Sequence, residues 1–231
     1  LYGNDLLGSD IPMGVTDTDD DILLGDHGQA IRMDAPRFIK SFNTGATTGH
    51  SDEIIAGVGK DTLAGGAADD FLDAGKGDDV LFGDYGSSEY TAAGPVRAKT
   101  INEDVAGGDG DELYGGDGDD TAFGGQGADF IYGENDNDVL FGDFGKFELL
   151  GGGAETWDTQ TLDTDKGGVD RIEGGSGEDV ALGGGAGDLI YGEAGVDVIL
   201  GDHGHLEVLN GYVQVDRCIA HFNGGDDHLY A

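Results

Sequence analysis

The chain has 231 residues, 47 of them glycine, and its 48 acidic against 11 basic residues give a formal net charge of −37. This charge excludes nucleic acid as a partner, and the single cysteine, Cys218, excludes an internal disulfide framework. A chain so acidic and so rich in glycine repels itself and loses much backbone entropy on folding. We therefore expect its folding to be coupled to the binding of cations.

Two further observations limit the setting of the chain. No segment is long and apolar enough to span a membrane as a helix. The chain begins at Leu1, without a methionine or a signal peptide, which indicates a processed product or an excised segment. Stabilisation by cations rather than by disulfides suits an extracellular medium, where calcium is millimolar and weak sites are filled.

Aspartates recur in steps of nine along most of the chain, and an apolar residue follows each of them by two positions. Around a step the sequence reads roughly Gly-Gly-x-Gly-x-Asp-x-apolar-x, as in residues 124–132. Fourteen aspartates follow this spacing. Three complete runs have four members each: Asp52, Asp61, Asp70 and Asp79; Asp111, Asp120, Asp129 and Asp138; Asp170, Asp179, Asp188 and Asp197. Asp21 is the last member of an earlier run, and Asp227 is the first member of a later one.

Nine residues suffice for one tight turn and one short strand. Glycines supply positive φ in the turn, and the aspartate adds a hard anionic oxygen at the exit of the turn. Calcium takes six to eight carbonyl and carboxylate oxygens in loosely defined geometry. We expect two steps to make one coil of about eighteen residues. The apolar residue would point into a narrow core, and each ion would lie between two stacked turns.

This pattern resembles the RTX family, the hemolysin-type calcium-binding nonapeptide repeats. The resemblance implies an all-β fold, a parallel β-roll solenoid of calcium-binding turns. It also implies that the fourteen stepped aspartates and the turn carbonyls bind several Ca²⁺ ions. Ala68 and Asn135–Asp136 replace turn glycines, and the runs open with few glycines at Asp52, Asp170 and Asp227. Weak or empty sites are expected at these places.

A larger repeat lies above the nine-residue step. It is recognised by a Gly-Asp-ring-Gly sequence at the end of each run, which we call the exit phrase. Its aspartates are Asp26, Asp84, Asp143 and Asp202, and each follows the last stepped aspartate of its run by five positions. These exit aspartates either complete the coordination of the last ion in a run or accept hydrogen bonds from backbone amides. The repeat divides the chain into an incomplete N-terminal ladder (1–24), unit 1 (25–82), unit 2 (83–141), unit 3 (142–200) and a final insert with the start of a truncated ladder (201–231).

The ring position of the exit phrase is His27, Tyr85, Phe144 or His203. Since phenylalanine cannot replace a metal ligand, we expect a flat ring that packs. Acids directly before a stepped aspartate, such as Asp119, are expected to face solvent.

Each exit phrase is followed by an insert whose pattern indicates a β-hairpin. The clearest is residues 206–216, where Asn210–Gly211 lies between alternating apolar residues. A second is predicted around Pro36, and less regular ones at 91–100 and 147–163. Most basic residues lie in or beside the inserts: Arg32, Arg37, Lys40, Arg97, Lys99, Lys146, Lys166 and Arg217. The acidic repeats and the basic inserts therefore carry complementary charges.

No zinc-protease, nucleophile-elbow or phosphate-loop motif is present, so we expect no enzymatic activity. The expected function is that of a secreted, calcium-binding structural protein of an extracellular fibre, a surface layer or an adhesin stalk. One alternative is a calcium-triggered folding or secretion module of a larger secreted enzyme or toxin. Another is a glycan-binding or protein-binding module that uses Trp157, Tyr212 and Phe38 of the inserts.

The two termini suggest a partner. Residues 224–231 and 1–24, placed end to end, nearly make one complete ladder. Two explanations follow from this, and the sequence does not decide between them. Either the ends of separate copies associate head-to-tail, which yields a filament where the contact does not close into a ring, or the ladder continues covalently in a longer array.

Overall fold

A computed structural model describes residues 6–7, 20–26, 28–31, 37–41, 49–91, 94–101, 109–150, 157–162, 166–209, 212–218 and 225–230. Its regular elements are 23 strands, numbered here in chain order, and they form three sheets. In the part of the chain described, no helix is long and apolar enough to cross a membrane.

Two of the sheets are parallel and are built by alternate strands of one coil. The short-strand sheet contains, in spatial order, β1 (Leu6–Leu7), β2 (Ile22–Leu24), β6 (Thr62–Ala64), β8 (Val80–Phe82), β12 (Thr121–Phe123), β14 (Val139–Phe141), β18 (Val180–Gly184) and β20 (Val198–Asp202). The long-strand sheet contains β5 (Glu53–Val58), β7 (Phe71–Lys76), β11 (Glu112–Asp117), β13 (Phe130–Asn135), β17 (Arg171–Gly177), β19 (Leu189–Gly195) and β23 (His228–Tyr230).

Short and long coils alternate along the stack. The sequence separation between neighbouring coils is 18 from Asp52 to Asp70 and 41 from Asp70 to Asp111. The same alternation continues along the long-strand sheet. A long coil differs from a short one by the insert that it contains. Each insert therefore leaves the coil and returns without shifting its register, and one short coil with one long coil makes the larger repeat of the sequence.

A narrow core separates the two parallel sheets. Every apolar residue two positions after a stepped aspartate points into it where the structure describes a buried coil, as predicted. Leu63 and Leu81 enter from the short-strand sheet, and Ile54, Leu72 and Leu113 enter from the long-strand sheet, all with no exposed surface. The parallel β-roll with hairpin inserts that the sequence predicts is therefore confirmed, whereas the division into repeat units stays a prediction.

The inserts are four antiparallel hairpins that join into a single sheet. This insert sheet consists of β3 (Gly28–Ile31), β4 (Arg37–Ser41), β9 (Gly86–Thr91), β10 (Gly94–Thr100), β15 (Gly145–Leu149), β16 (Trp157–Thr161), β21 (Gly204–Leu209) and β22 (Tyr212–Cys218). In the last hairpin, Leu209 pairs with Tyr212. The predicted Asn210–Gly211 turn lies outside the described residues. Each hairpin also pairs with the next, which the sequence did not predict.

The insert sheet covers the outer face of the short-strand sheet and creates a second core. Ile39, Ala98 and Phe147 pack from the insert sheet against outward residues such as Phe82 and Phe123. Because both faces of the short strands are covered, all three residues of β8, β12 and β14 are buried. This explains why these strands are apolar or carry a small residue at every position.

Successive inserts are joined by a repeated hydroxyl contact at the base of the hairpins. The Thr100 hydroxyl accepts a hydrogen bond from the Gly145 amide (3.2 Å) and donates one to its carbonyl (3.4 Å). Ser41 makes the same pair of contacts with Gly86, and Thr161 with Gly204. A β-carbon on Gly86 would lie 2.1 Å from the Phe82 ring, so only glycine fits there.

Candidate metal centre

The fourteen stepped aspartates form two straight files of seven that run along the stack, one at each row of turns. In each file, Oδ1 of one aspartate accepts a hydrogen bond from the backbone amide of the aspartate one coil before it. The first file is Asp21, Asp61, Asp79, Asp120, Asp138, Asp179 and Asp197. The second file is Asp52, Asp70, Asp111, Asp129, Asp170, Asp188 and Asp227.

The second carboxylate oxygen, Oδ2, points into the turn. It is buried and has no hydrogen-bond partner in nine of the aspartates: Asp70, Asp79, Asp111, Asp120, Asp129, Asp138, Asp170, Asp179 and Asp188. A buried carboxylate oxygen without a partner costs free energy, so a repeated row of them calls for a cation.

A small space lies in front of Oδ2 wherever a glycine faces it. A β-carbon built on Gly133 would lie 2.3 Å from Asp138 Oδ2 and 2.6 Å from the Gly174 carbonyl oxygen of the next coil. Gly124 has the same surroundings, with Asp129 Oδ2 at 2.4 Å and the carbonyl oxygen of Gly142 at 2.2 Å. Glycine keeps this space open between a carboxylate and a carbonyl oxygen, the two kinds of ligand that calcium prefers.

The glycine in front of a stepped aspartate usually precedes it by five positions, but four aspartates take theirs from before an insert. The pairs are Gly25 with Asp52, Gly83 with Asp111, Gly142 with Asp170 and Gly201 with Asp227. One turn is thus built from two separate segments, the exit phrase before the insert and the stepped aspartate after it. The expectation of weak sites at Asp52, Asp170 and Asp227 loses its basis, because the far side of the insert supplies the glycine that is missing nearby.

The first file departs from this pattern at two steps. Ala56 and Ala74 stand five positions before Asp61 and Asp79, where the other described steps have glycine, and both alanines are buried in the inner core. Sequence reasoning missed this difference, although the two residues are visible in the sequence. Asp197 and Asp227, near the last coils, are only partly buried.

Burial of the files raises the pKa of their carboxyl groups. It raises the pKa to about 8 in Asp70, Asp79 and Asp138 and to about 10 in Asp120, with added repulsion from neighbouring aspartates. Toward the end of the stack the pKa is less raised, to about 7 in Asp188. For Asp111, Asp129 and Asp170 the pKa is well above its usual value for the same reasons. A cation beside these groups would keep them ionised.

The donor set fits calcium rather than a transition metal. In the described residues no three carboxylate, imidazole or thiol groups converge on one point. A cation in the files must therefore take most of its ligands from backbone carbonyls. The residues that would hold it are the stepped aspartates and the glycine carbonyls of the adjacent coil, all of which are hard oxygen ligands. When bound, calcium would supply the positive charge that these buried carboxylates lack.

Three of the four exit aspartates accept hydrogen bonds from turn amides. Asp26 Oδ2 accepts from the Ala67 amide at 2.8 Å, and Asp84 Oδ2 accepts from the Gln126 amide at 2.7 Å. Asp143 accepts from Gly168 (2.9 Å) and Gly185. These contacts support the interpretation as amide acceptors. The interpretation as ligands stays open, since Asp84 Oδ1 and Asp202 Oδ1 are buried without a hydrogen-bond partner.

The ring of the exit phrase packs in the interior, as predicted. Tyr85, Phe144 and His203 are all buried. His27 lies outside the described residues. Acids directly before a stepped aspartate face solvent where the structure describes them, with Asp69 and Asp119 exposed and Asp78 half-exposed.

The turns keep their left-handed backbone even where glycine is replaced. Ala68 has φ of 83° and Asp136 has φ of 73°, the conformation that the glycines have at equivalent positions. The other left-handed residue of this turn is Glu134, two positions before Asp136, with φ of 79°, and not Asn135 as the sequence suggested. These residues carry a cost of about 1–2 kcal/mol each, because their side chains crowd the backbone.

Ala68→Gly is expected to raise the free energy of unfolding in calcium by about 1 kcal/mol, since it removes this crowding. Ala128→Gly is a matched control two coils on, at an exposed alanine that is not among the left-handed residues. It should lower stability by roughly 0.5–1 kcal/mol. Denaturant unfolding followed by circular dichroism would measure both. Equal shifts in the two variants would contradict the role given to the left-handed backbone.

Comparisons with known proteins agree with this geometry. The family model of the RTX calcium-binding nonapeptide repeat matches residues 47–87, 114–146 and 166–204, with four copies. The searches of curated proteins and of solved structures found no match. Such repeats bind multiple Ca²⁺ ions, and proteins that carry them are typically secreted. The unpaired carboxylate oxygens, the glycine-lined spaces and this match lead to one conclusion: the chain belongs to the hemolysin-type RTX calcium-binding repeat proteins.

Proposed function

We propose that this chain is a structural rod of the extracellular space, whose rigidity depends on calcium and which forms part of a fibre, a surface layer or an adhesin stalk. The observation that carries the proposal is the continuity of the two aspartate files. They pass the inserts without a break, so that every described coil is linked to the next through Asp-to-amide hydrogen bonds.

The architecture of the stacked coils supports a mechanical role more than the recognition of a ligand. Each coil contacts its neighbours along the stack, as in other solenoids. All three sheets have their hydrogen bonds along the same direction, and the insert sheet adds a third layer that resists bending. We assign no catalytic role to the chain, and the proposed setting is extracellular.

The strand edges support assembly along the stack. Among the described strands, β23 pairs only with β19 and β1 pairs only with β2, so each has one edge without a partner strand. Open edges of this kind pair readily with further strands. The proposal includes continuation of the ladder there, either by a second copy or by further repeats of a longer array.

Light scattering coupled to size-exclusion chromatography, together with small-angle X-ray scattering, would test the proposal. In chelator we expect an expanded monomer of 23.7 kDa. In millimolar calcium we expect a rod-like particle, either of the same mass or of growing multiples of it. A chain with the same shape and the same stability in both buffers would overturn the proposal.

A further inference from the structure

The outer face of the insert sheet carries a row of basic residues that the ladder does not use. Lys40 pairs in register with Ser87, Ser87 with Lys99, and Lys99 with Lys146. The row continues through Gln160 to His205. We call Lys40, Lys99, Lys146 and His205 the basic row. It crosses six strands, or roughly 24 Å at about 4.8 Å per strand.

Two lysines of this row lie directly opposite each other. Like charges at paired positions of adjacent antiparallel strands destabilise a sheet, and Lys99 and Lys146 are such a pair. Lys146 has Asp158 Oδ1 at 3.2 Å, and His205 Nε2 lies 2.7 Å from Asp158 Oδ2, so the free positive charge of the row is that of Lys40 and Lys99. Lys40 and Lys99 are exposed, and no carboxylate of the described residues lies within 4.0 Å of either ammonium group. A positive strip of this kind on a chain of net charge −37 calls for an acidic partner.

The neighbouring row of the same sheet has the opposite sign. Its acids lie in register with one another and with Arg97, and they are Glu89, Glu148, Asp158 and Glu207. Arg97 forms ion pairs with Glu89 and Glu148, which offset part of this charge. An acidic partner must therefore align with the basic row, because a shift by one row would bring like charges together.

The opposite face of the molecule has the complementary character. The outer face of the long-strand sheet carries six acids and, in the part described, Arg171 and His228 in the same row. The acids are Glu53, Asp73, Glu112, Glu134, Glu173 and Glu193. We call this the acidic face.

Aromatic side chains lie among these acids and are open to solvent. Phe130 is 47% exposed and Tyr230 is 52% exposed. Tyr114 stacks on Tyr132 with ring centroids 4.7 Å apart, and Arg171 lies 5.2 Å above the Tyr191 ring. Exposed aromatic stripes on a flat sheet are typical of protein interfaces, and a lysine can lie over such rings as this arginine does.

The two faces also match in spacing and in size. Each large repeat adds two strands to the insert sheet and two to the long-strand sheet, so charges recur at the same interval on both. Seven strands of about 4.8 Å and six residues of about 3.3 Å give a face of roughly 650 Å². Complete overlap of two such faces would bury about 1,300 Å². Because only the basic row of the insert sheet is complementary, the docked contact buries a part of this area, in the range of weak or transient interfaces.

We propose that the basic row docks on the acidic face of a second copy of this chain. The contact joins two different faces and does not close, so it repeats from copy to copy and produces a layer of parallel rods. This inference rests on the proposed structural function and adds the lateral contact to it. It is separate from the calcium-dependent stiffening, since the residues of the two faces lie outside the aspartate files.

Sedimentation velocity in calcium at about 20 mM and about 500 mM NaCl would test the docking. The wild type should associate as its concentration rises, and the higher salt should weaken this association. Lys99→Glu should weaken it at least tenfold, and Glu112→Lys should do the same from the other face. Lys60→Glu changes the charge equally but lies in a turn outside both faces, and it should associate like the wild type.

A mixing experiment makes the test specific to this geometry. Lys99→Glu keeps an intact acidic face, and Glu112→Lys keeps an intact basic row. An equimolar mixture should therefore associate more strongly than either variant alone and form species of at least twice 23.7 kDa. Circular dichroism in calcium would show that the three variants fold.

Two outcomes would overturn the proposal. One is a wild type that stays monomeric in calcium at low salt and high protein concentration. The other is a Lys99→Glu variant that associates like the wild type. If that second result is accompanied by lost binding of the variant to an anionic polysaccharide such as alginate, the basic row recognises a polyanion and not a second copy.

Discussion

Asp129→Asn is expected to lower the free energy of unfolding by about 2–3 kcal/mol in calcium and to raise it in chelator. In calcium the variant would lack one of the buried Oδ2 atoms that we expect to be ligands, and the loss of one ion filled at a hundred times its Kd is worth about 2.7 kcal/mol. Without calcium, the substitution removes a buried carboxyl group whose pKa is raised by burial and by Asp170. Asparagine still offers an oxygen to the Asp111 amide, which lies 2.8 Å from Oδ1.

Asp119→Asn is the matched control for this variant. Asp119 is exposed in a turn of the first file and accepts hydrogen bonds from the Asn137 amide and side chain. Its substitution should shift stability by less than about 0.5 kcal/mol in either buffer. Denaturant unfolding followed by circular dichroism would measure all four combinations. If both variants lost the same free energy of unfolding in calcium, the choice of Asp129 rather than Asp119 as a calcium ligand would be wrong.

The pH dependence of stability is expected to have opposite signs with and without calcium. Without calcium, the folded-state pKa of the file carboxyls is raised from 3.8 to about 6 in Asp179, about 8 in Asp70 and about 10 in Asp120, chiefly by burial. A raised folded pKa gives stability that is fully present below the unfolded pKa and is lost as pH rises through the folded value. The calcium-free chain should therefore be most stable near or below pH 4 and lose stability progressively as pH rises from there to about 10.

In calcium the trend reverses, because the ion binds only the ionised carboxylates and protons compete with it. Stability should then fall as pH decreases from about 8 toward 4. Thermal unfolding at several pH values, in calcium and in chelator, would show two curves that cross. Parallel curves, with both buffers losing stability at low pH, would show that the file carboxylates are ionised in the folded chain without calcium.

The ladder could be predicted from the sequence because each step repeats two constraints at once. Asp129 and Ile131 are an example, since the carboxylate of one and the side chain of the other both face inward from one short segment. Such local constraints leave a period of nine in the sequence. The hairpin of β21 and β22 was predictable for the same reason, because the alternation of its strands is local.

Contacts across the inserts could not be predicted in this way. Gly142 lines the space in front of Asp170 only because the insert between them returns to its starting point, and no local pattern records this. The pairing of β10 with β15 likewise joins hairpins of different repeats. Ala98 and Phe147 are neighbours in that pairing, yet each alone fits the ordinary alternation of a two-stranded flap.

The left-handed backbone at Glu134 was missed for a different reason. Glutamate has no preference for this conformation, so no residue pattern placed it there. The turn keeps its shape because the coils on both sides impose it, with Glu134 paired to Gly116 and Gly175 at equivalent positions. Tertiary pairing here overrides local preference, at a cost that neighbouring coils offset.

The alternation of short and long coils also determines how the rod would yield to a pulling force. The hydrogen bonds of all three sheets lie along the rod, so tension on its ends loads them in series and detaches one coil at a time. Since a released residue adds about 3.4 Å of contour length, extension would proceed in alternating increments of roughly 60 Å and 140 Å. In the proposed structural role, the inserts would serve as stored length, which would let a fibre of such rods dissipate a sudden load before the chain itself is strained.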